Sequence, residues 1–233
     1  MQLIFDLYFP PVNQANEAGL LAIGGEVSPG NLLLAYSKGI FPWYSDDEPV
    51  MWWSPNPRMV LKPEDYKASK SLKKLVREGN YNLGIDTSFE EVMYQCGHNP
   101  RKGQQGTWIT SELTASFVTL HRLGFAHSFE IFMDKKLVGG LYGLSIGKVF
   151  FGESMFFKVP NASKLAFYHL IAFLIQNDFK LVDAQQETPH LKSLGAYPIT
   201  REDFLELLNV YVCEPSLCGN WGTNHLRKFT LSF

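Results

Sequence analysis

The sequence predicts a mixed α/β protein with helices packed on a sheet, and three stretches carry that prediction. His127–Met133, Leu137–Ile146 and Val149–Met155 read as strands joined by an Asp-Lys-Lys turn and a Gly147-Lys148 turn, a three-strand meander. Ala162–Gln176 is apolar almost all round, as a helix buried between layers is. Phe179–Ala184 then reads as a further short strand.

The remaining elements follow in chain order. Ser28 to Gly39 reads as a helix, with Ser28 as N-cap, Pro29 at the first helical position and Gly39 as the stop. FPWYSDDEPVMWWSPNPR, which follows it, is punctuated by aromatics and prolines and reads as loop and short strand. Pro55, Pro57 and Pro63 suggest a boundary near residue 62, dividing a small N-terminal domain (1–62) from a larger one (63–233). In the larger part, 69–78 reads as a basic helix, 111–123 as an amphipathic helix, and 188–194 and 201–211 as helices.

Composition narrows the function classes. The chain has 233 residues, 45% hydrophobic and 19% charged, which is ordinary globular composition and excludes a disordered chain. With 21 Lys and Arg against 23 Asp and Glu the net charge is −2, so a general basic coat for nucleic acid is excluded while a local patch is not. Three cysteines (Cys96, Cys213 and Cys218) form no disulfide framework and point to a reducing compartment. The longest apolar stretch, Leu165 to Ile175, is too short to span a bilayer, and the first residues have no signal-peptide pattern. A cytoplasmic protein without membrane contact is expected.

No P-loop, GxGxxG, nucleophile elbow or HExxH occurs. Cys213, Cys218 and His225 lack metal-site spacing, and no metal is expected. The tryptophans are more informative. Trp43, Trp52-Trp53 and Trp108 lie in proline-rich or turn-like segments, and indole faces stack on unpaired bases for ~1–3 kcal/mol each. The plainer alternative is that they join the two domains.

Lys67, Lys70, Lys74 and Arg77 recur at spacings of 3, 4 and 3, which puts them on one helical face with Lys73 alongside. Such a patch holds phosphates, or is simply a solvated face. Period-2 alternation has Asp183 and Gln185 project together from their strand, with Val182 and Ala184 facing the other way. Glu153, an acid inside the apolar strand VFFGESMF, needs a partner or a task. Each of these polar groups, taken singly, also fits a satisfied structural role.

LLAIGGEVSPGNLLLAYSKGIFPWYS, MWWSPNPRMVL, GTWIT, LVGGLYG, FFGESMF, NASK, LVDAQ and SLGA occur in this order across nearly the whole chain. Together they resemble the leucyl/phenylalanyl-tRNA–protein transferase family. The resemblance implies a GNAT-like acyltransferase domain behind a small N-terminal domain. It implies transfer of Leu or Phe, and also Met, from charged tRNA to proteins or peptides with N-terminal Arg or Lys, as a degradation signal. No cofactor is implied, because the ester is already activated, and a monomer is expected.

By the same resemblance Trp43 and Trp108 hold the 3′-terminal adenosine. Leu141, Phe150, Met155, Leu170 and Val182 form the side-chain pocket. Lys70, Lys73, Lys74 and Arg77 meet the acceptor stem, Asp183 and Gln185 form the catalytic pair, and Glu153 serves the acceptor. Two other readings compete. A CoA-dependent GNAT acetyltransferase needs a glycine-rich pyrophosphate loop, but Phe156–Lys164 has Pro160 and no glycine. A non-catalytic RNA-binding module leaves Glu153, Asp183 and Gln185 without purpose.

Overall fold

The structure, a computed structural model, describes residues 6–98, 108–223 and 227–229. The first part of the chain forms a small antiparallel sheet from β1 (Leu20–Ile23), β2 (Phe41–Pro42) and β3 (Met51–Trp53), in the order β1-β3-β2. Between β1 and β2 runs α1 (Pro29–Ser37), whose Ser28 side chain accepts the Asn31 N–H at 3.3 Å. Every α1 residue after Pro29 is buried, so this helix is core rather than surface. Gly39 takes a left-handed φ of 73° after it, and a side chain there would meet Phe204 and Leu205.

The rest of the chain builds a seven-stranded sheet. Its strands are β4 (Arg58–Leu61), β5 (Asn82–Ile85), β6 (Ala126–Met133), β7 (Lys136–Ile146), β8 (Val149–Phe157), β9 (Leu181–Gln185) and β10 (Tyr197–Ile199). Their order is β10-β4-β9-β8-β7-β6-β5, antiparallel throughout except between β8 and β9. The meander β6-β7-β8 forms as the turn chemistry demands. Asp134 and Lys135 take φ of 49° and 60°, and Gly147 takes 58°, the left-handed values tight hairpins require. Parallel pairing of β8 with β9 requires a crossover, supplied by α5 (Ala162–Gln176).

Helices cover both faces. On one face Val92 of α3 (Phe89–His98) and Phe117 and Leu120 of α4 (Ser111–Leu123) pack with Tyr142, Leu144 and Phe151 of the sheet and with the buried residues of α1. On the other, α5 packs Leu165, Leu170 and Leu174 against Phe129, Leu141, Phe150 and Val182. Outside α5 lies α2 (Lys70–Glu78), capped by Ser69 and ended by Gly79 at φ 66°. The chain closes with α6 (Pro189–Ser193), α7 (Arg201–Tyr211) and the paired strands β11 (Ser216–Cys218) and β12 (Arg227–Phe229).

β4, β5, α3, β10 and the β11–β12 pair were outside the expected elements; β4, β5, β10, β11 and β12 are four residues or fewer, too short for a periodic pattern. After β11 the chain turns back under the large sheet. Trp221 stacks on buried His127 with ring centroids 3.6 Å apart, and Asp86 accepts the Trp221 N–H at 2.7 Å. Asp86 Oδ2 also lies 2.9 Å from His127 Nδ1. Burial lowers His127 and Asp86 opposes it; burial wins and the pKa falls, so the ring is the neutral donor to Asp86. No helix among the described residues is long and apolar enough to cross a membrane.

Candidate active site

The site begins where two paired strands part. β8 and β9 pair in parallel at Val149 with Leu181, Phe150 with Val182 and Phe151 with Asp183, and no further. Just past that point each strand carries an extra residue. Across β7–β8, Tyr142 pairs with Ser154 and Gly143 with Gly152, which leaves Glu153 unpaired. Across β4–β9, Val60 pairs with Asp183 and Met59 with Gln185, which leaves Ala184 unpaired. Such bulges bend a strand and re-aim its side chains. Here two of them face each other across the gap.

A cavity of about 510 Å³ fills this opening, a size typical of small-ligand sites. Its most deeply buried lining is apolar: Leu141, Phe150, Leu170 and Val182, all at most 3% exposed. Met155, Leu61 and Phe167 add to the wall, while Trp43, Trp108, Gln186 and His190 stand at more exposed positions and form the rim. Trp43 is braced by Trp53, whose indole N–H donates to the Trp43 carbonyl at 2.7 Å. Trp108 precedes α4, where the N-cap Thr110 hydroxyl meets Tyr44 at 3.3 Å. Trp52, by contrast, is buried and donates to the Gly24 carbonyl, so that indole belongs to the N-terminal core.

The polar end of the cavity is Glu153 and Gln185. Glu153 is half-buried with its carboxylate turned inward. Its Oε1 accepts from the Tyr36 hydroxyl at 2.7 Å and from Gln185 Nε2 at 2.8 Å. Burial pushes Glu153 up to about 7, with Asp183 adding to the rise and Tyr36, Gln185 and Arg58 opposing it. Tyr36 itself is pushed well above the usual phenol range, first by burial and then by Glu153, and stays a neutral donor.

Asp183 departs from the expected geometry. It does not project with Gln185; Val182, Ala184 and Gln185 line the cavity, and Asp183 faces the opposite side of the sheet. The cause is the bulge at Ala184 together with a left-handed φ of 62° at Gln185, which breaks strict alternation. Both Asp183 oxygens are engaged by the fully buried Arg58, Oδ1 by Nε at 2.8 Å and Oδ2 by Nη2 at 2.6 Å. Oδ1 also accepts the Gln185 backbone N–H at 2.9 Å. Tyr36 and Arg58 were not singled out from sequence. A tyrosine within LLLAYS reads as core, and Arg58 ends a proline-rich run that reads as loop.

Lys70, Lys73, Lys74 and Arg77 all lie exposed on α2, with Leu72 buried and Leu75 and Val76 turned inward. Lys74 comes within 3.7 Å of Glu78, an exposed pair that holds little energy. Cys213 is exposed and Cys218 buried, while His225 lies outside the described residues. No group of three or more metal-ligating side chains occurs among the described residues.

Two family models match the chain. The leucyl/phenylalanyl-tRNA protein transferase model covers residues 60–209, and the model of that enzyme's N-terminal domain covers residues 25–56. A leucyl/phenylalanyl-tRNA–protein transferase of Nitrosospira multiformis is 49% identical over 222 residues, 94% of this chain and 95% of that one. The protein of the same name from Chromobacterium violaceum is 50% identical over 222 residues, again 94% and 95%. Among solved structures, a GCN5-related N-acetyltransferase-like protein from Streptococcus suis is 13% identical with a TM-score of 0.36, covering 73% of this chain and 64% of that one. That last likeness is too loose to say anything about the site. With nearly half the residues shared along almost its whole length, this chain belongs to the leucyl/phenylalanyl-tRNA–protein transferase family.

Proposed function

We propose that this protein transfers leucine or phenylalanine, and also methionine, from aminoacyl-tRNA to the α-amino group of proteins that begin with Arg or Lys. It acts as a monomer and needs no cofactor, because the aminoacyl ester arrives activated. The observation that carries this reading is a deep apolar cavity ending at a hydrogen-bonded Glu153–Gln185 pair, with two indoles at its rim. An unbranched apolar side chain suits the deep end, and a terminal adenosine suits the indole faces of Trp43 and Trp108.

In this reading the ester carbonyl lies beside Gln185 and Glu153. The acceptor amine, with a free pKa of ~7.7–8.0, is partly neutral near neutrality and attacks directly. A carbon–nitrogen bond forms, the bond from the carbonyl carbon to the ribose oxygen breaks, and the amine proton ends on the released hydroxyl. The chain's main task is to hold amine and ester together, and orientation of that kind is worth up to ~7–11 kcal/mol. Gln185 Nε2 is committed to Glu153, so its amide oxygen is the group left to accept from the attacking amine. Among the described residues Tyr36 and Gln185 both bond Oε1 of Glu153, which leaves Oε2 for a cationic acceptor. Asp183 serves through the Gln185 backbone rather than by touching the amine.

The basic face of α2 fits the acceptor stem of the tRNA, since its four cations are solvent-facing and only Lys74, among the described residues, has an ion-pair partner, the weak exposed one at Glu78. Incubation with Leu-charged tRNA and an Arg-starting peptide tests the reading. Leucine is expected at the peptide's N-terminus, without CoA or ATP; absence of leucyl-peptide under conditions where the tRNA stays charged contradicts it.

A further inference from the structure

We propose that Arg58 is a positioning residue of the transfer site: it touches no substrate, but it fixes Asp183, through Asp183 the turn that presents Gln185 to Glu153, and at the same point the Phe41–Trp43 wall of the cavity. The inference rests on the transferase reading above and adds a residue to it.

The geometry is that of a hub. Arg58 is 0% exposed, at the start of β4. Two of its nitrogens grip Asp183 as a fork, and a third, Nη1, donates to the Gly39 carbonyl at 3.1 Å. Its guanidinium lies between two rings, 4.9 Å from the Phe41 centroid and 4.6 Å from that of Phe204. One side chain therefore joins β9, the end of α1, β2 and α7. Of these, β2 carries Phe41 and Pro42 into the cavity lining and β9 carries Gln185.

A buried ion pair is an inefficient way to stabilise a fold, since well-packed apolar residues serve as well or better. What the pair supplies here is direction. Gln185 sits at φ 62°, a conformation that a non-glycine residue holds only when its surroundings impose it. Two contacts close that turn: the Gln186 N–H donates to the Ala184 carbonyl at 2.8 Å, and Asp183 Oδ1, which Arg58 holds in place, accepts the Gln185 N–H. A lysine reproduces the charge but not the two-pronged grip.

The charged and titratable groups that act on Glu153 are Tyr36 from α1, which bonds it, and the buried pair of Asp183 from β9 and Arg58 from β4. Asp183 raises Glu153 and Arg58 lowers it. Removing Arg58 alone therefore moves Glu153 upward, whereas removing Asp183 with it takes away the raising neighbour as well as the lowering one.

The test compares the parent with Arg58→Lys, Arg58→Gln and Arg58→Met/Asp183→Leu. Each is assayed for transfer from Leu-charged tRNA to an Arg-starting peptide, and Glu153 is titrated by carbon-13 carboxyl NMR in the free protein. Arg58→Gln leaves a buried carboxylate unpaired and loses folded protein as well as turnover. The double variant carries no unpaired charge, folds with a parent-like melt, and keeps the proposal falsifiable. The expected result is a fall in kcat of about tenfold or more per folded molecule in the double variant and in Arg58→Lys, with KM for charged tRNA within about threefold of the parent. In the same series Glu153 titrates higher in Arg58→Gln and returns toward the parent value in the double variant. Parent-like kcat in a folded double variant, or an unmoved Glu153 titration in Arg58→Gln, overturns the proposal. A parent that transfers nothing sinks the transferase reading instead, and the titration still decides whether Arg58 governs the Gln185–Glu153 pair.

Discussion

Glu153 is the residue on which the site's pH response turns. Its carboxyl is pushed up to about 7 by burial, so it is largely neutral below that value and ionised above it. If the anion greets a cationic N-terminus, the transfer rate rises as pH passes through about 7. Glu153→Gln should flatten that rise and weaken use of Arg- and Lys-starting peptides by ~1.5–3 kcal/mol, the worth of one charge-assisted contact. Peptide kinetics between pH 5.5 and 8.5 check both effects. Folding follows the same shift with its own sign. A carboxyl raised in the folded state adds stability that is fully present below the ordinary pKa of 4.5 and is lost as pH rises through about 7. Glu153→Gln should therefore gain on the parent in melting temperature from pH 5 to pH 8.

Gln185 was legible from the sequence as a polar group ending an apolar strand, and Glu153 as an acid inside one. What joins them was not. Tyr36 lies 117 residues from Glu153, and Arg58 lies 125 from Asp183. No local pattern reports contacts of that separation. If Gln185 meets the attacking amine, Gln185→Ala, which deletes the amide but leaves the backbone turn, should lower kcat with little change in KM for charged tRNA. A split of kcat from KM in steady-state transfer measures it.

Among the elements, the meander and α5 were readable because long stretches obey one period and end in recognisable turns. The two bulges were not, since an extra residue in a strand leaves no mark in apolar patterning when residues as small as Gly152 and Ala184 stand at the irregularity. That is why Gln185 was expected on the face of Asp183 rather than with Val182 and Ala184. α2 was legible in its extent and in the cations Lys70, Lys73, Lys74 and Arg77, but Lys67, expected on the same helical face, precedes the Ser69 cap and lies outside the helix. If that helix meets the tRNA, Lys73→Ala/Lys74→Ala should reduce the slope of log affinity against log salt by ~0.9 per lost phosphate contact in duplex terms. Transfer from a minimal aminoacyl-adenosine donor should be nearly unchanged, and equal losses with both donors would contradict the role.

At the scale of the molecule, the cavity depends on parts distant in sequence. Its floor residue Phe150 sits 6.1 Å, ring to ring, from Trp221, which arrives from the far end of the chain and also stacks on Phe173. Trp221→Ala should cost about 3–5 kcal/mol of stability, as deletion of a buried aromatic does, and thermal unfolding reads it. Its rim comes from the N-terminal sheet through Trp43 and its walls from β8, β9 and α5. The paired bulges explain why an opening lies between β8 and β9.

The most direct measurement of the central claim is a competition among Leu-, Phe-, Ile- and Val-charged tRNA for one Arg-starting peptide. A deep slot walled by Leu141, Phe150, Leu170 and Val182 weighs a single methylene at only ~1–3 kcal/mol, so Leu and Phe should both transfer readily. Ile and Val branch at Cβ, next to the ester that the proposed reading sets beside Glu153 and Gln185, and should lag behind. Transfer of Ile or Val at the rate of Leu would mean that the aminoacyl side chain does not enter this cavity.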